Sequence, residues 1–232
     1  YFIRYTAHLE QILKSLQHIE NQNLLSYYVF MKKKKLVVAN WKMNPQTHSE
    51  AKQIFLSTKR VVRELRNTEV CICPPFLFLQ DLLKLNNKKN LFLGSQNISS
   101  EEKGAYTGEV SANMIKNLDA KFTIIGHSER RAMGETGEII RKKLTKAFLN
   151  KLIPILCIGE KEKDGEGNYL TFLKNQIKES LVDLEKKDLH GLIIAYEPVW
   201  AIGKSHRESM SATDIHEMTL VIKKIGGELF GK

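Results

Sequence analysis

Leu36-Val37-Val38-Ala39-Asn40-Trp41-Lys42 is an apolar, β-branched run that ends on polar side chains. β-Branched residues fit strands, and a run without polar alternation suits a strand covered on both faces. The same kind of run recurs at 70–73, 91–94, 122–126, 153–158 and 192–197. Between these runs lie longer amphipathic, charged segments, clearest over 50–65, 138–150, 170–186 and 212–224, which read as helices. Short buried strands alternating with helices predict parallel βα units. A parallel sheet needs cover on both sides, which leaves an open doubly wound sheet or a closed barrel.

Periodicity does not choose between the two. No G-x-G-x-x-G follows the first strand, where a dinucleotide-binding sheet carries it, and no G-x-x-x-x-G-K-[ST] phosphate loop occurs. Polar residues instead gather at several strand ends: Asn40 and Lys42 after the first, His127 after the fourth, Glu197 at the end of the sixth. In a barrel all strand C-termini open on one face, so these groups would converge there. The expected fold is therefore α/β, a (β/α)8 barrel of which the chain covers about six of the eight βα units.

Composition narrows the function classes. The chain has 232 residues, 42% hydrophobic and 27% charged, which is the balance of a globular protein. No apolar run approaches the ~20 residues of a membrane span. The net charge of +10 suits either a nucleic-acid partner or a small anionic substrate drawn to a cleft. The lysines are scattered without interleaved aromatics, and the one dense patch, Lys32 to Lys35, reads as a solvated lead-in to the first strand. Three cysteines, Cys71, Cys73 and Cys157, make no disulfide framework, and no metal-ligand spacing accompanies them. Cys71 and Cys73 alternate within a strand-like run and should share a face. A reducing cytoplasm fits.

Residues 1–30 show a helical pattern at Leu9, Ile12, Leu13, Leu16 and Ile19, with Arg4 and Lys14 balanced by Glu10 and Glu20. A transit peptide should be Arg-rich and poor in acids, and a signal peptide needs a basic start before its apolar region; neither fits this pattern well. Met31 reads as the natural start, residues 1–30 as an extension outside the catalytic domain, and 31–232 as a partial barrel.

The strand-end groups suit one chemistry. Converting an aldose to a ketose removes a proton beside a carbonyl and returns one to the neighbouring carbon, work for a single carboxylate. A neutral imidazole and a cation would stabilise the charge that develops on oxygen. Glu197 precedes Pro198-Val199-Trp200-Ala201-Ile202-Gly203; Pro198 fixes φ and Gly203 frees the chain, which suits a base at the root of a hinged loop. It equally fits a strand-end Glu in a surface turn. His127 lies in Ile-Ile-Gly-His-Ser-Glu-Arg-Arg, between a strand and a helix N-terminus that disfavours its charged form, or is incidental to a capping turn. Lys42 could meet a phosphate or carbonyl oxygen as a point charge. His8, His18, His48, His190, His206 and His216 suit surface or packing roles.

Five segments in order resemble the triosephosphate isomerase family: Ala-Asn-Trp-Lys-Met-Asn at 39–44, Gly-Ala-Tyr-Thr-Gly-Glu at 104–109, Ile-Gly-His-Ser-Glu-Arg-Arg at 125–131, Cys-Ile-Gly-Glu at 157–160 and Tyr-Glu-Pro-Val-Trp-Ala-Ile-Gly at 196–203. The resemblance implies Glu197 as the proton-shuttling base, His127 as neutral electrophile, and Lys42 with Asn40 as substrate-positioning groups. It implies supporting roles for Ser128, Cys157 and Glu129, the last near Lys42. Residues 198–203 would begin a closing lid whose Gly203 amide meets the phosphate. The resemblance further implies a cytoplasmic homodimer of glycolysis and gluconeogenesis acting on triose phosphates, with no cofactor, metal, nucleic acid or membrane. Loop 96–109 would enter the partner, with Thr107 bracing its site.

Two departures stand out. Lys204-Ser205-His206-Arg207-Glu208-Ser209-Met210 is a bulkier lid end than the family's Thr-Gly-Lys. The Gly-Gly-Ser and Gly-Gly segments that the resemblance assigns to phosphate binding do not occur after the sixth helix, and Gly226-Gly227 reads as that helix's end. Residues 1–232 alone are thus expected to be poorly stable and weakly active. The alternative reading is a truncated, non-catalytic homologue acting as an interaction protein.

Overall fold

The computed structural model describes residues 2–4, 35–201 and 210–231. The helical pattern before Met31, Met31 itself, Gly203, His206 and nearly all of the altered lid end lie outside the described residues. The chain divides into two compact units, Tyr1–Ile98 with Ala112–Thr123, and Ser99–Ser111 with Ile124–Lys232.

The first unit runs β1 (Phe2–Arg4), β2 (Lys35–Asn40), α1 (His48–Val62), β3 (Thr68–Cys73), α2 (Phe76–Leu85), β4 (Leu91–Ser95), α3 (Ala112–Asn117) and the first half of β5 (Phe122–Ile125). Neighbouring strands pair parallel and in chain order, with Val38 opposite Cys71, Ile72 opposite Leu93 and Gly94 opposite Phe122. β1 adds to the other edge of β2, Phe2 opposite Val38 and Arg4 opposite Asn40. Val37 through Asn40 are all buried, which is why this strand carries no polar alternation. Cys71 and Cys73 do share a face, their sulfurs 3.8 Å apart, and burial pushes the Cys71 thiol pKa up.

α1 starts where Thr47 accepts the Glu50 amide, and it buries Ala51, Phe55, Thr58 and Val62, spaced four, three and four residues apart. α2 is absent from the sequence reading for a physical reason. Phe76-Leu77-Phe78-Leu79 and Leu82-Leu83 put apolar groups on every face, so the buried Phe78, Leu79 and Leu82 do not stand out against the exposed Phe76 and Leu77.

The second unit holds the rest of β5, α4 (Ser128–Ala132), α5 (Gly137–Leu149), β6 (Ile153–Ile158), α6 (Asn168–Leu181), α7 (Lys186–Leu189), β7 (Ile193–Tyr196), a 3-10 turn (Val199–Ala201) and α8 (Ala212–Phe230). β6 and β7 pair parallel, Ile155 opposite Ile193 and Ile158 opposite Tyr196. α8 opens on a capping box between Ser211 and Asp214. It corrects the reading of Gly226-Gly227 as a helix end, since it runs through both glycines to Phe230 and is capped by Gly231 at φ 74°. The apolar stripe Met218, Ile222, Ile225 is buried up to the glycines, and beyond them Glu228 is tied to Lys174 at 2.8 Å, so tertiary contacts outweigh two weak helix formers.

Among the described residues no helix is long and apolar enough to cross a membrane, and no group of three or more His, Cys, Asp or Glu could hold a metal ion.

Candidate active site

In the first unit, β2 delivers Asn40 to its C-terminal end, 4% exposed. The Asn40 side-chain oxygen accepts the Lys42 amide at 2.9 Å, a local Asx-type turn. Lys42 sits at φ 55°, in the left-handed region, a conformation costing roughly 1–3 kcal/mol for a non-glycine residue. A side chain from β4's end holds it there: the Gln96 amide donates to Lys42 O at 2.7 Å and Cys73 O at 2.9 Å. Asn40 and Gln96 thus hold the Lys42 backbone in this conformation from two sides.

In the second unit, β5 ends at Ile125 and the chain turns on Gly126 at φ 70° to present His127. The Glu129 amide donates to His127 Nδ1 at 3.2 Å. An Nδ1 that accepts a hydrogen bond leaves the ring proton of a neutral imidazole on Nε2. Nε2 lies 3.3 Å from Glu197 Oε2, and Glu197 Oε1 accepts the Ser128 amide at 2.8 Å. The side chains of His127 and Glu197 are 5% and 11% exposed, so polar interactions between them act in a largely desolvated setting.

Glu197 is placed from below by its backbone. Its amide donates to Ile158 O at 2.8 Å, and the Val199 amide to Glu160 O at 2.8 Å. The buried Glu160 carboxylate also takes the Tyr196 hydroxyl at 2.8 Å and the Trp200 indole N–H at 2.7 Å, gathering three residues that flank Pro198. Burial and that hydrogen bond push the Tyr196 phenol pKa well up, so it donates as a neutral hydroxyl. A cavity of about 610 Å³ opens beside Ser128, Cys157, Gly159, Gln176 and Glu197, room enough for a small ligand.

The structure thus gathers His127, Ser128, Glu129, Cys157 and Glu197 in the second unit, and Asn40 with Lys42 in the first. Thr107 is exposed on the loop pinned by Ser99 N–H to Val110 O, at 2.8 Å. The family model described as triosephosphate isomerase matches residues 35–232. The chain belongs to the triosephosphate isomerase family. It is 41% identical to the Dictyoglomus turgidum triosephosphate isomerase over 200 residues, covering 85% of this chain and 79% of that protein. The Moorella thermoacetica enzyme of the same name is 39% identical over 199 residues, 85% of this chain and 78% of the relative. The crystal structure of the Bartonella henselae triosephosphate isomerase superposes with a TM-score of 0.70 at 31% identity, over 86% of this chain and 78% of that one. The fold is accordingly α/β, a TIM barrel of which this chain covers about six βα units.

Three residues beside the candidate groups of this triosephosphate isomerase family member have no role in the sequence reading: Gln96 in the first unit, and Gly159 and Arg131 in the second. Gly159 has the plainest physical requirement. A Cβ there would run into the Glu197 carbonyl, whose C and O are both main-chain atoms with no flexible side chain to give way. Gly159→Ala is therefore expected to cost about 1–3 kcal/mol of stability and to displace Glu197 from the His127 ring. Urea unfolding and steady-state kinetics on the same preparation check both effects; wild-type values in each would show that the strands part without consequence.

Proposed function

We propose that this protein interconverts D-glyceraldehyde 3-phosphate and dihydroxyacetone phosphate through an enediolate, the isomerisation shared by glycolysis and gluconeogenesis. The observation that carries the reading is the pairing of Glu197 with a His127 whose Nδ1 is occupied by the Glu129 amide. Glu197 removes a proton from the carbon beside the carbonyl and returns it to the neighbouring carbon. His127 donates from neutral Nε2–H to the oxygen on which charge develops, and does so without having to lose an imidazolium proton. In the resting arrangement the Ser128 amide holds the carboxylate, an interaction that positions it without protonating it.

Lys42 supplies a cation for the phosphate and the developing oxyanion, and Asn40 fixes the turn that presents it. Gly203 completes the phosphate contacts from the lid. Ser128, Glu129 and Cys157 support the pair.

The direct test is an enzyme-coupled assay of both directions on the purified whole protein, together with uptake of solvent hydrogen into the triose phosphates. Turnover with solvent hydrogen exchange at the reacting carbons supports the reading. Absence of both from a folded sample removes it.

A homodimer and a cytoplasmic location complete the proposal. Met43 and Leu77 in the first unit are 84% and 86% exposed, and Met133 in the second is 76% exposed, apolar groups that a second copy would cover. Thr107 would then reach the neighbouring site. Sedimentation equilibrium decides the point, a monomer at micromolar concentration counting against it. All three cysteines are buried free thiols, the state a reducing compartment maintains.

A further inference from the structure

Arg131 follows the His127 segment in sequence, yet its side chain turns back under the strand ends. Nε donates to Gly126 O at 2.7 Å, and Nη2 donates to Cys157 O at 3.0 Å. The first acceptor belongs to the peptide joining Gly126 to His127. The second belongs to the peptide joining Cys157 to Ile158, and Ile158 O in turn receives the Glu197 amide at 2.8 Å. One guanidinium therefore links the backbone carrying the imidazole to the backbone that seats the carboxylate.

The local sequence makes room for it. A Cβ on Gly126 would come within 2.9 Å of Arg131 Nη2, so the glycine that allows the turn also admits the guanidinium. Burial lowers the Arg131 pKa from its ordinary value, against the fields of Cys157, Glu135, Glu197 and Glu179, which raise it; an arginine remains charged under such conditions where a lysine is readily neutralised. Arg131 also lines the 610 Å³ cavity, together with Ser128 and Glu197.

We propose that Arg131 is a positioning residue for the isomerisation, holding the His127 and Glu197 backbones at reacting distance by bridging Gly126 O and Cys157 O. This rests on the isomerase reading for its kinetic consequence, though not for its structural one. The planar fork suits the task because it offers two donors at fixed spacing, whereas a lysine ammonium can satisfy one carbonyl well and the other only in passing. Misplacing the reacting groups falls on kcat, since a positioning residue acts through the geometry of His127 and Glu197.

The experiment compares Arg131→Met and Arg131→Lys in the whole protein, with folding verified by circular dichroism and urea titration. Arg131→Met is expected to lower kcat per folded molecule about 100-fold with KM within about threefold of wild type, the scale of a small misplacement, and Arg131→Lys to fall between the two. Alongside, nitrogen NMR of the His127 ring reads its tautomer in the resting protein, and Arg131→Met should lose the clear Nε2–H preference. Wild-type kcat per folded molecule with unaltered ring signals overturns the proposal, leaving Arg131 a packing residue. If the wild-type protein itself shows no isomerase turnover, the isomerase reading fails, and the ring signals alone then decide the positioning role: altered signals sustain it, unaltered ones overturn it.

Discussion

Glu197→Gln is expected to lower kcat by about three orders of magnitude, within the range that positioned acid–base groups contribute, while leaving the urea midpoint close to wild type. The substitution keeps volume and keeps an oxygen for the Ser128 amide, which now meets Oε1 at 2.8 Å. It removes the only feature the proposed reaction demands of this side chain, a basic oxygen that carries a proton between carbons. The amide also creates a small conflict. With its oxygen on Ser128 N–H, its NH2 faces His127 Nε2–H across the present 3.3 Å gap, donor against donor. Relieving that conflict sacrifices one hydrogen bond, worth about 0.5–1.5 kcal/mol, too little to unfold the protein and too little to account for the kinetic loss. Steady-state kinetics and solvent hydrogen incorporation should fall together. Turnover near normal would remove Glu197 as the base.

The strands β2 to β7 were legible because parallel strands inside a sheet leave apolar runs, whereas β1 at Phe2–Arg4 was not legible as a strand. β6 occurs where it was expected, at Ile153–Ile158, and β2 begins one residue earlier, at Lys35. Helices were legible where one face is polar, as in α1 and α5, and illegible where composition hides the face, as in α2. Gly226-Gly227 misled because local propensity is weak against packing from both sides. For the site, residues that end strands on unusual polarity could be picked out: Asn40, Lys42, His127, Glu197. Those that act on backbone carbonyls could not. Gln96 reaches Lys42 across 54 positions, Arg131 reaches Cys157 across 26, and Gly159 is required by an oxygen of Glu197. Each is an ordinary residue type whose meaning lies in a distance, and a single sequence contains no distances.

The second large effect concerns stability. Lys143 on α5 and Glu135 at its approach have side chains only 4% and 3% exposed, and Nζ of the one contacts Oε1 of the other. Arg130 Nε stands 3.8 Å from the second oxygen. Bringing both charges out of water costs several kcal/mol per ion, which their attraction repays only while both are present. Lys143→Met keeps the packing volume but leaves Glu135 buried without its contacting cation, with Arg130 at 3.8 Å and Arg131 acting only through its field, and is expected to destabilise the protein by about 3–5 kcal/mol. Glu135→Leu with Lys143→Met removes the uncompensated charge along with its partner, and should return most of that loss or exceed wild type, as apolar replacements of buried pairs can. Urea unfolding with an unchanged slope distinguishes a stability effect from a looser native state. If Lys143→Met cost less than about 1 kcal/mol, an amount usual for exposed pairs, water would have to reach Glu135 in solution. If the double variant were no better than the single, the pair would owe its place to a specific geometry between α5 and the segment after α4 that no apolar pair reproduces.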